Sequence, residues 1–253
     1  MKILHISDLH FGQPQAASRA SCVIQALLSR DDLATCVLNV GGDTLETPSW
    51  SEVRTAYAML RPLFDQCRAA YLIDGNHCIW AKGALRFVTI RGLFEQLQAD
   101  LRSRVEPETF LIQGKATRVI PASTTVRPPG WRHRLDPRQA FAQGYLGEEQ
   151  IRRIAAEVAM ANAQRQRSVI LMHHCPTGGS PLLRLMDREA LGEALEGAGG
   201  ASAILSGHLH ARGLWRDEYG ADFIVASPKS QTADGYWEIG ADGESVVPVW
   251  VPI

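Results

Sequence analysis

Short apolar runs of strand length alternate with segments of helical period through the first seventy residues, and this alternation most limits the fold the chain can adopt. Residues 2–6 are rich in β-formers, and residues 16–30 place Val23, Ile24, Leu27 and Leu28 at helical spacing. Residues 34–40 form a second apolar run, residues 50–67 a second helix with Val53, Tyr57, Leu60 and Phe64 on one face, and residues 69–73 a third strand. A β-α-β-α-β succession predicts a parallel sheet covered by helices, because each parallel pair needs a crossover and each helix has one apolar stripe to bury.

Further along, the spacing predicts a helix over 89–102, extended pieces over 109–113 and 116–120, a helix over 148–165, a strand over 168–173, a helix over 183–196 and a strand over 202–205. The helix over 148–165 has acidic residues at its start and arginines near its end, which suits the helix dipole. The tail changes character: strands over 223–226, 235–239 and 246–251 are separated by turns such as the Gly-Ala-Asp-Gly of 240–243, which predicts antiparallel pairs. Residues 121–147 break the rhythm. They hold four prolines, Trp131 and the arginines Arg127, Arg132, Arg134 and Arg138 with no sustained period, and read as a lid or insert loop within a single domain spanning 1–253.

Composition narrows the function. Lys plus Arg number 26 against 27 Asp plus Glu, so a net charge of −1 supplies no broad basic field for a nucleic-acid backbone. The longest apolar runs fall far short of the ~20 residues of a bilayer span, and the N-terminus meets Asp8 and His10 before a signal-peptide core can form. Five cysteines without a CxxC pair fit a reducing compartment, so a cytoplasmic location is expected, with no membrane partner.

The chemistry-bearing residues stand just past the strands. Asp8 and His10 follow the first, Gly42 and Asp43 the second, Asn76 and His77 the third, His173 and His174 the strand over 168–173, and His208 and His210 the strand over 202–205. In an open α/β sheet such positions converge on one crevice, and six of the eight histidines belong to these segments. Imidazole with carboxylate and amide oxygen suits Mn, Fe, Zn or Co. The five segments bring Asp, His, Asp, Asn, His, His and His to one place as ligands; seven are too many for one tetrahedral ion but fill two sites if a carboxylate bridges, and paired ions are a known device for phosphate-ester hydrolysis, with a shared hydroxide as nucleophile. His5, alternating within a buried strand, reads as a hydrogen-bonded core residue, and Cys78 and Cys175 as small buried residues.

The motifs DxH (Asp8, His10), GD (Gly42, Asp43), GNH (Gly75, Asn76, His77), HH (His173, His174) and GHxH (Gly207, His208, His210), in this order and each after a predicted strand, resemble those of the calcineurin-like metallophosphoesterases. The resemblance spans residues 8–210. It implies a four-layer α-β-β-α sandwich with mixed sheets, and two divalent ions, Mn favoured. It implies Asp8, His10, Asp43 and His210 on the first ion, with Asp43 bridging to a second held by Asn76, His173 and His208. His77 is then the residue that contacts phosphate, and His173 rather than His174 is the ligand, since the first histidine of the pair is the usual one; His174 falls in the surrounding shell. Apart from the resemblance, Arg132, in an arginine group that reads either as an anion-reading lid or as a solvated basic loop, and Cys78, next to His77, are candidates for residues around the ligands or near substrate. Two positions depart from the pattern. Cys78 follows GNH where the family commonly carries Asp or Glu to support a neighbouring histidine, and HHPP reads HHCP, with Cys175.

Residues 144–154 resemble the stretch before the fourth helix of bacterial cyclic-nucleotide and glycerophosphodiester phosphodiesterases in this superfamily, which implies a small phosphodiester substrate. The opening MKILHISDLHFG also resembles repair exonucleases, the nuclease alternative, in which nucleic acid is the partner. A third reading is an interaction scaffold that has lost catalysis, against which the full set of seven ligands and His77 speaks.

Overall fold

The computed structural model of the chain describes residues 1–80, 89–129, 142–243 and 245–253. Strands β1 (Ile3–Ile6), β2 (Val37–Val40) and β3 (Ala69–Leu72) run parallel, linked by helices α1 (Ala16–Leu28) and α2 (Trp50–Gln66). A four-residue helix, α3 (Asn76–Ile79), and then α4 (Arg91–Asp100) follow β3. The second half is built from β4 (Glu108–Ile112), β5 (Lys115–Pro121), α5 (Glu148–Ala163), β6 (Arg167–Leu171), α6 (Arg188–Gly197), β7 (Ala203–Ser206), β8 (Gly213–Glu218) and β9 (Ala221–Ala226). The chain then returns to the first sheet with β10 (Gly235–Asp242) and β11 (Ser245–Pro252).

Two mixed sheets result, ordered β11-β10-β1-β2-β3 and β4-β5-β6-β7-β9-β8. The period of two along each strand sorts its side chains between the layers. Leu4, Ile6, Leu38 and Val40 face outward against Val23, Ile24 and Leu27 of α1, Leu60 and Leu63 of α2 and Phe94 and Leu97 of α4. Ile3 and Val37 face inward, packing with Tyr71, Val169, Leu171, Leu205 and Val225 between the two sheets. Ile170 and Ile204 carry the other outer core under Ile154 and Val158 of α5 and Leu191 and Leu195 of α6. Helix on sheet on sheet on helix is the four-layer sandwich expected from the sequence, with the antiparallel C-terminal pair β10–β11 in place.

Differences from the sequence reading have local causes. The helix expected over 183–196 starts at Arg188, because the carboxylate of Asp187 is turned to the N–H groups of Leu146 and Gly147 at 2.8–3.2 Å, and Pro181–Leu183 is a separate 3-10 turn. β8 was not foreseen: as a half-exposed edge strand carrying Arg216, Asp217 and Glu218 it lacks the apolar run that marks a buried strand. Of the 121–147 segment, Thr125 and Tyr145 pair across its base. Residues 130–141 of the lid or insert expected over 121–147, and with them Arg132, lie outside the described residues. Among the described residues, no helix is long and apolar enough to cross a membrane.

Candidate metal centre

All five motif segments leave the C-terminal ends of β1, β2, β3, β6 and β7, and since β1-β2-β3 and β6-β7 are parallel sets, those ends meet at one edge of the sandwich. The turns are tight. Asp8, His10, Asp43, His208 and His210 all take left-handed backbone angles, with φ between 45° and 66°, each costing about 1–2 kcal/mol for a residue with a Cβ. Five such residues in one place mark a site where the surrounding fold holds the backbone against its preference. Glycine provides the close approach: a Cβ on Gly42, whose φ is 98°, would strike the His173 ring, and one on Gly207 would strike the Ser7 hydroxyl and the Asp8 carboxylate.

One donor cluster joins Asp8, His10 and His210. The Nε2 atoms of His10 and His210 lie 3.1 Å apart, and Oδ1 of Asp8 lies 3.2 Å from Nε2 of His210 and 3.7 Å from Nε2 of His10. These spacings suit donors about 2.0–2.2 Å from a common cation. A second cluster joins Asp8, Asp43 and His173, with Nε2 of His173 3.1 Å from Oδ2 of Asp43, and a third joins His173, His174 and His208, whose rings approach to 4.3–5.0 Å. Asp43 donates nothing and accepts the N–H of His77 at Oδ1 (2.8 Å), which leaves Oδ2 facing the cluster.

The electrostatics match. Burial opposes charge on Asp8 and Asp43, yet their neighbouring histidines overcome it and hold both carboxyls well below the usual range. Burial likewise opposes an imidazolium at His10 and His173, but the nearby Asp8 carboxylate and the hydrogen bond to Glu46 in one case, and the charge of Asp43 in the other, push each up to about 9. His208 is pushed down to about 3 by burial and the nearby His173, and His174 is lowered for the same reasons. Two ionised carboxylates in a buried site thus draw positive charge onto the imidazoles.

The donor set fits a pair of cations. Oδ1 of Asn76 and Nε2 of His174 and His208 are buried without a hydrogen-bond partner, while Oδ1 of Asp8, Oδ2 of Asp43 and Nε2 of His173 are buried with a charged neighbour at 3.1–3.2 Å but no hydrogen-bond geometry to it. A buried polar atom that makes no hydrogen bond costs about 1–3 kcal/mol, and six such donors converging on one edge fit the coordination of divalent cations. The other ring nitrogens are held. His173 Nδ1 donates to the carbonyl of Gly41 at 2.8 Å and His174 Nδ1 meets the Thr124 hydroxyl at 2.7 Å, which leaves Nε2 of each toward the cluster.

Glu46 was missed by the sequence reading. Its Oε2 accepts from His10 Nδ1 at 2.7 Å and lies 3.4 Å from Nδ1 of His77, whose Nδ1 is also 3.1 Å from the Glu46 carbonyl. The carboxylate that Cys78 does not provide therefore arrives from the strand-end loop after β2, three residues past Asp43, and that spacing was the available signal. Cys78 is fully buried in the core beside α4, with its thiol pushed up by burial, and Cys175 is likewise buried. His174 lies as deep in the cluster as His173, although the sequence reading set it behind the ligands. His5 is a core histidine, its Nε2 2.8 Å from the Ser206 carbonyl.

The family model of the calcineurin-like phosphoesterases matches residues 1–212. Among curated proteins none matches the sequence. Among solved structures, the chain is similar to a dimetal phosphatase from Danio rerio (15% identity, TM-score 0.67, covering 99% of this chain and 98% of that one). It is similar also to a purple acid phosphatase from yellow lupin seeds (14% identity, TM-score 0.59, 100% and 51% covered) and to GAP50, the anchor in the inner membrane complex of Plasmodium (9% identity, TM-score 0.67, 100% and 84% covered). At these identities the structures speak for the fold. With a family model spanning most of its length, the same sandwich and a buried His/Asp cluster at the sheet edge, the chain belongs to the calcineurin-like phosphoesterases.

Proposed function

We propose that the chain is a binuclear-metal phosphodiesterase acting on a small phosphodiester in the cytoplasm. The observation that carries the metal reading is the convergence of six buried donor atoms, on Asp8, Asp43, Asn76, His173, His174 and His208, none of which makes a well-formed hydrogen bond. Asp8, His10, Asp43 and His210 would hold one divalent ion, and Asn76, His173 and His208 a second, with Asp43 between them and Mn favoured for both. When bound, such a pair polarises the phosphate and lowers the pKa of water enough to supply a nucleophile at neutral pH.

The chain's own residues do the rest. Buried strand-end backbone fixes the donors before substrate arrives, so little reorganisation is left to the reaction. His77 has Nδ1 turned to Glu46, which leaves Nε2 to meet a phosphate oxygen or to give its proton to the departing alkoxide. A net charge of −1 supports a small substrate over a long nucleic-acid track, and five free cysteines support a reducing compartment.

Hydrolysis of bis-p-nitrophenyl phosphate, p-nitrophenyl phosphate, cyclic nucleotides and single-stranded DNA, each with Mn, tests the reading. Diester turnover exceeding monoester turnover is expected. Cleavage of single strands whose KM climbs steeply with salt would favour the nuclease reading. Two bound ions with no hydrolysis of any probe would favour a scaffold.

A further inference from the structure

The loop that follows β9 reaches back to the centre. Ser227 N–H donates to the Ser206 carbonyl at the end of β7 (2.8 Å), and Ser230 exchanges two hydrogen bonds with Ser7, just past β1, at 2.9 and 3.0 Å. This loop is thus fastened to a strand end of each sheet, on either side of the ligands. From it Lys229 Nζ and Gln231 Nε2 both donate to Oε1 of Gln13, at 2.6 and 3.0 Å. Gln13 Nε2 in turn donates to Oε2 of Glu46 at 2.9 Å, the same oxygen that accepts from His10.

Two donors on Oε1 settle which way the Gln13 amide points, since a flipped amide would set N–H against N–H. Lys229 has no carboxylate partner among the described residues, so its charge is spent on polarising that amide. We propose that Gln13 is a positioning residue for the metal centre, oriented by Lys229 and Gln231, and that it holds the Glu46 carboxylate where it can serve His10 and His77 together. Lys229 and Gln231 lie beyond residue 212, outside the stretch matched by the family model, so this support comes from the chain's own C-terminal part. Loss of the relay lets Glu46 swing, and with it the orientation of two imidazoles whose Nε2 atoms face the ions and the phosphate.

The proposal rests on the metal-centre reading, and the experiment keeps the two apart. The wild-type chain is first titrated with Mn and assayed on bis-p-nitrophenyl phosphate; failure to bind two ions or to turn over would count against the metal-centre reading alone. Given an active wild type, Gln13→Met and Lys229→Met should each lower kcat, by about tenfold and about threefold, with KM unchanged within twofold. Both should weaken binding of one Mn more than the other, read by titration without substrate, and Lys229→Arg should restore kcat and Mn binding to near wild type. If Gln13→Met fails to fold, Gln231→Leu replaces it with the same expectation. Unchanged kcat and Mn affinity in the variants would overturn the proposal, as would a raised KM at unchanged kcat in Lys229→Met, which would make Lys229 a direct contact to the substrate anion.

Discussion

Loading the centre with metal should expel about two protons at pH 7.5. His173 has its Nδ1–H committed to the Gly41 carbonyl, so Nε2 is the atom an ion must take, and in the metal-free protein that atom faces Asp43 Oδ2 at 3.1 Å as a second N–H. His10 has Nδ1 committed to Glu46 and its Nε2 between Asp8 and His210. Both imidazoles are pushed up to about 9, so at pH 7.5 each is mostly protonated, and a ligand must be neutral to bind. His208, pushed down to about 3, is already neutral and adds no proton. The sign follows from the raised values: below pH 9 the proton competes with the ion, and it competes better as pH falls. Each Mn site should therefore weaken about tenfold, or about 1.4 kcal/mol, per pH unit between pH 8 and 6.5. Calorimetric titration in buffers of different ionisation enthalpy gives the proton count as the slope of apparent heat on buffer heat, and His10→Ala should lower it by one. A release of fewer than one proton per two ions, or an affinity flat across that range, would refute the reasoning.

Other outcomes follow from the same geometry. Asp43→Ala should weaken both sites while His10→Ala chiefly damages one, read by elemental analysis after gentle dialysis, because Asp43 clusters with Asp8 and His173, each of which belongs to a further donor cluster. His77→Ala should keep both ions and lower kcat by about 10²-fold, with a smaller loss for a p-nitrophenolate leaving group; equal losses for good and poor leaving groups would remove the proton-donor role. Gly42→Ala should lower the unfolding midpoint through a left-handed φ worth about 1–2 kcal/mol and, by displacing His173, release metal that a remote surface substitution leaves bound; full metal retention would contradict the close contact.

The alternation of strand and helix and the residues at the strand ends were legible from the chain alone, because both are local. A period of two or 3.6 is written in consecutive residues, and a candidate donor at the C-terminal end of a parallel strand needs only that strand and its turn to be picked out, as with Asp8, Asp43 and His208. Tertiary structure decided what depends on packing between distant segments. It turned Cys78 into the core and brought Glu46 to His10 and His77 from another strand end. It placed β8 on an edge whose charged residues hide the strand period. It set His174 beside His208 through the Thr124 hydroxyl, and laid the loop of Lys229 across the ends of β1 and β7. The physical reason is reach: hydrophobic patterning specifies which face of an element is buried, whereas a hydrogen bond between residues thirty or two hundred positions apart exists only once the sheets have set those elements side by side.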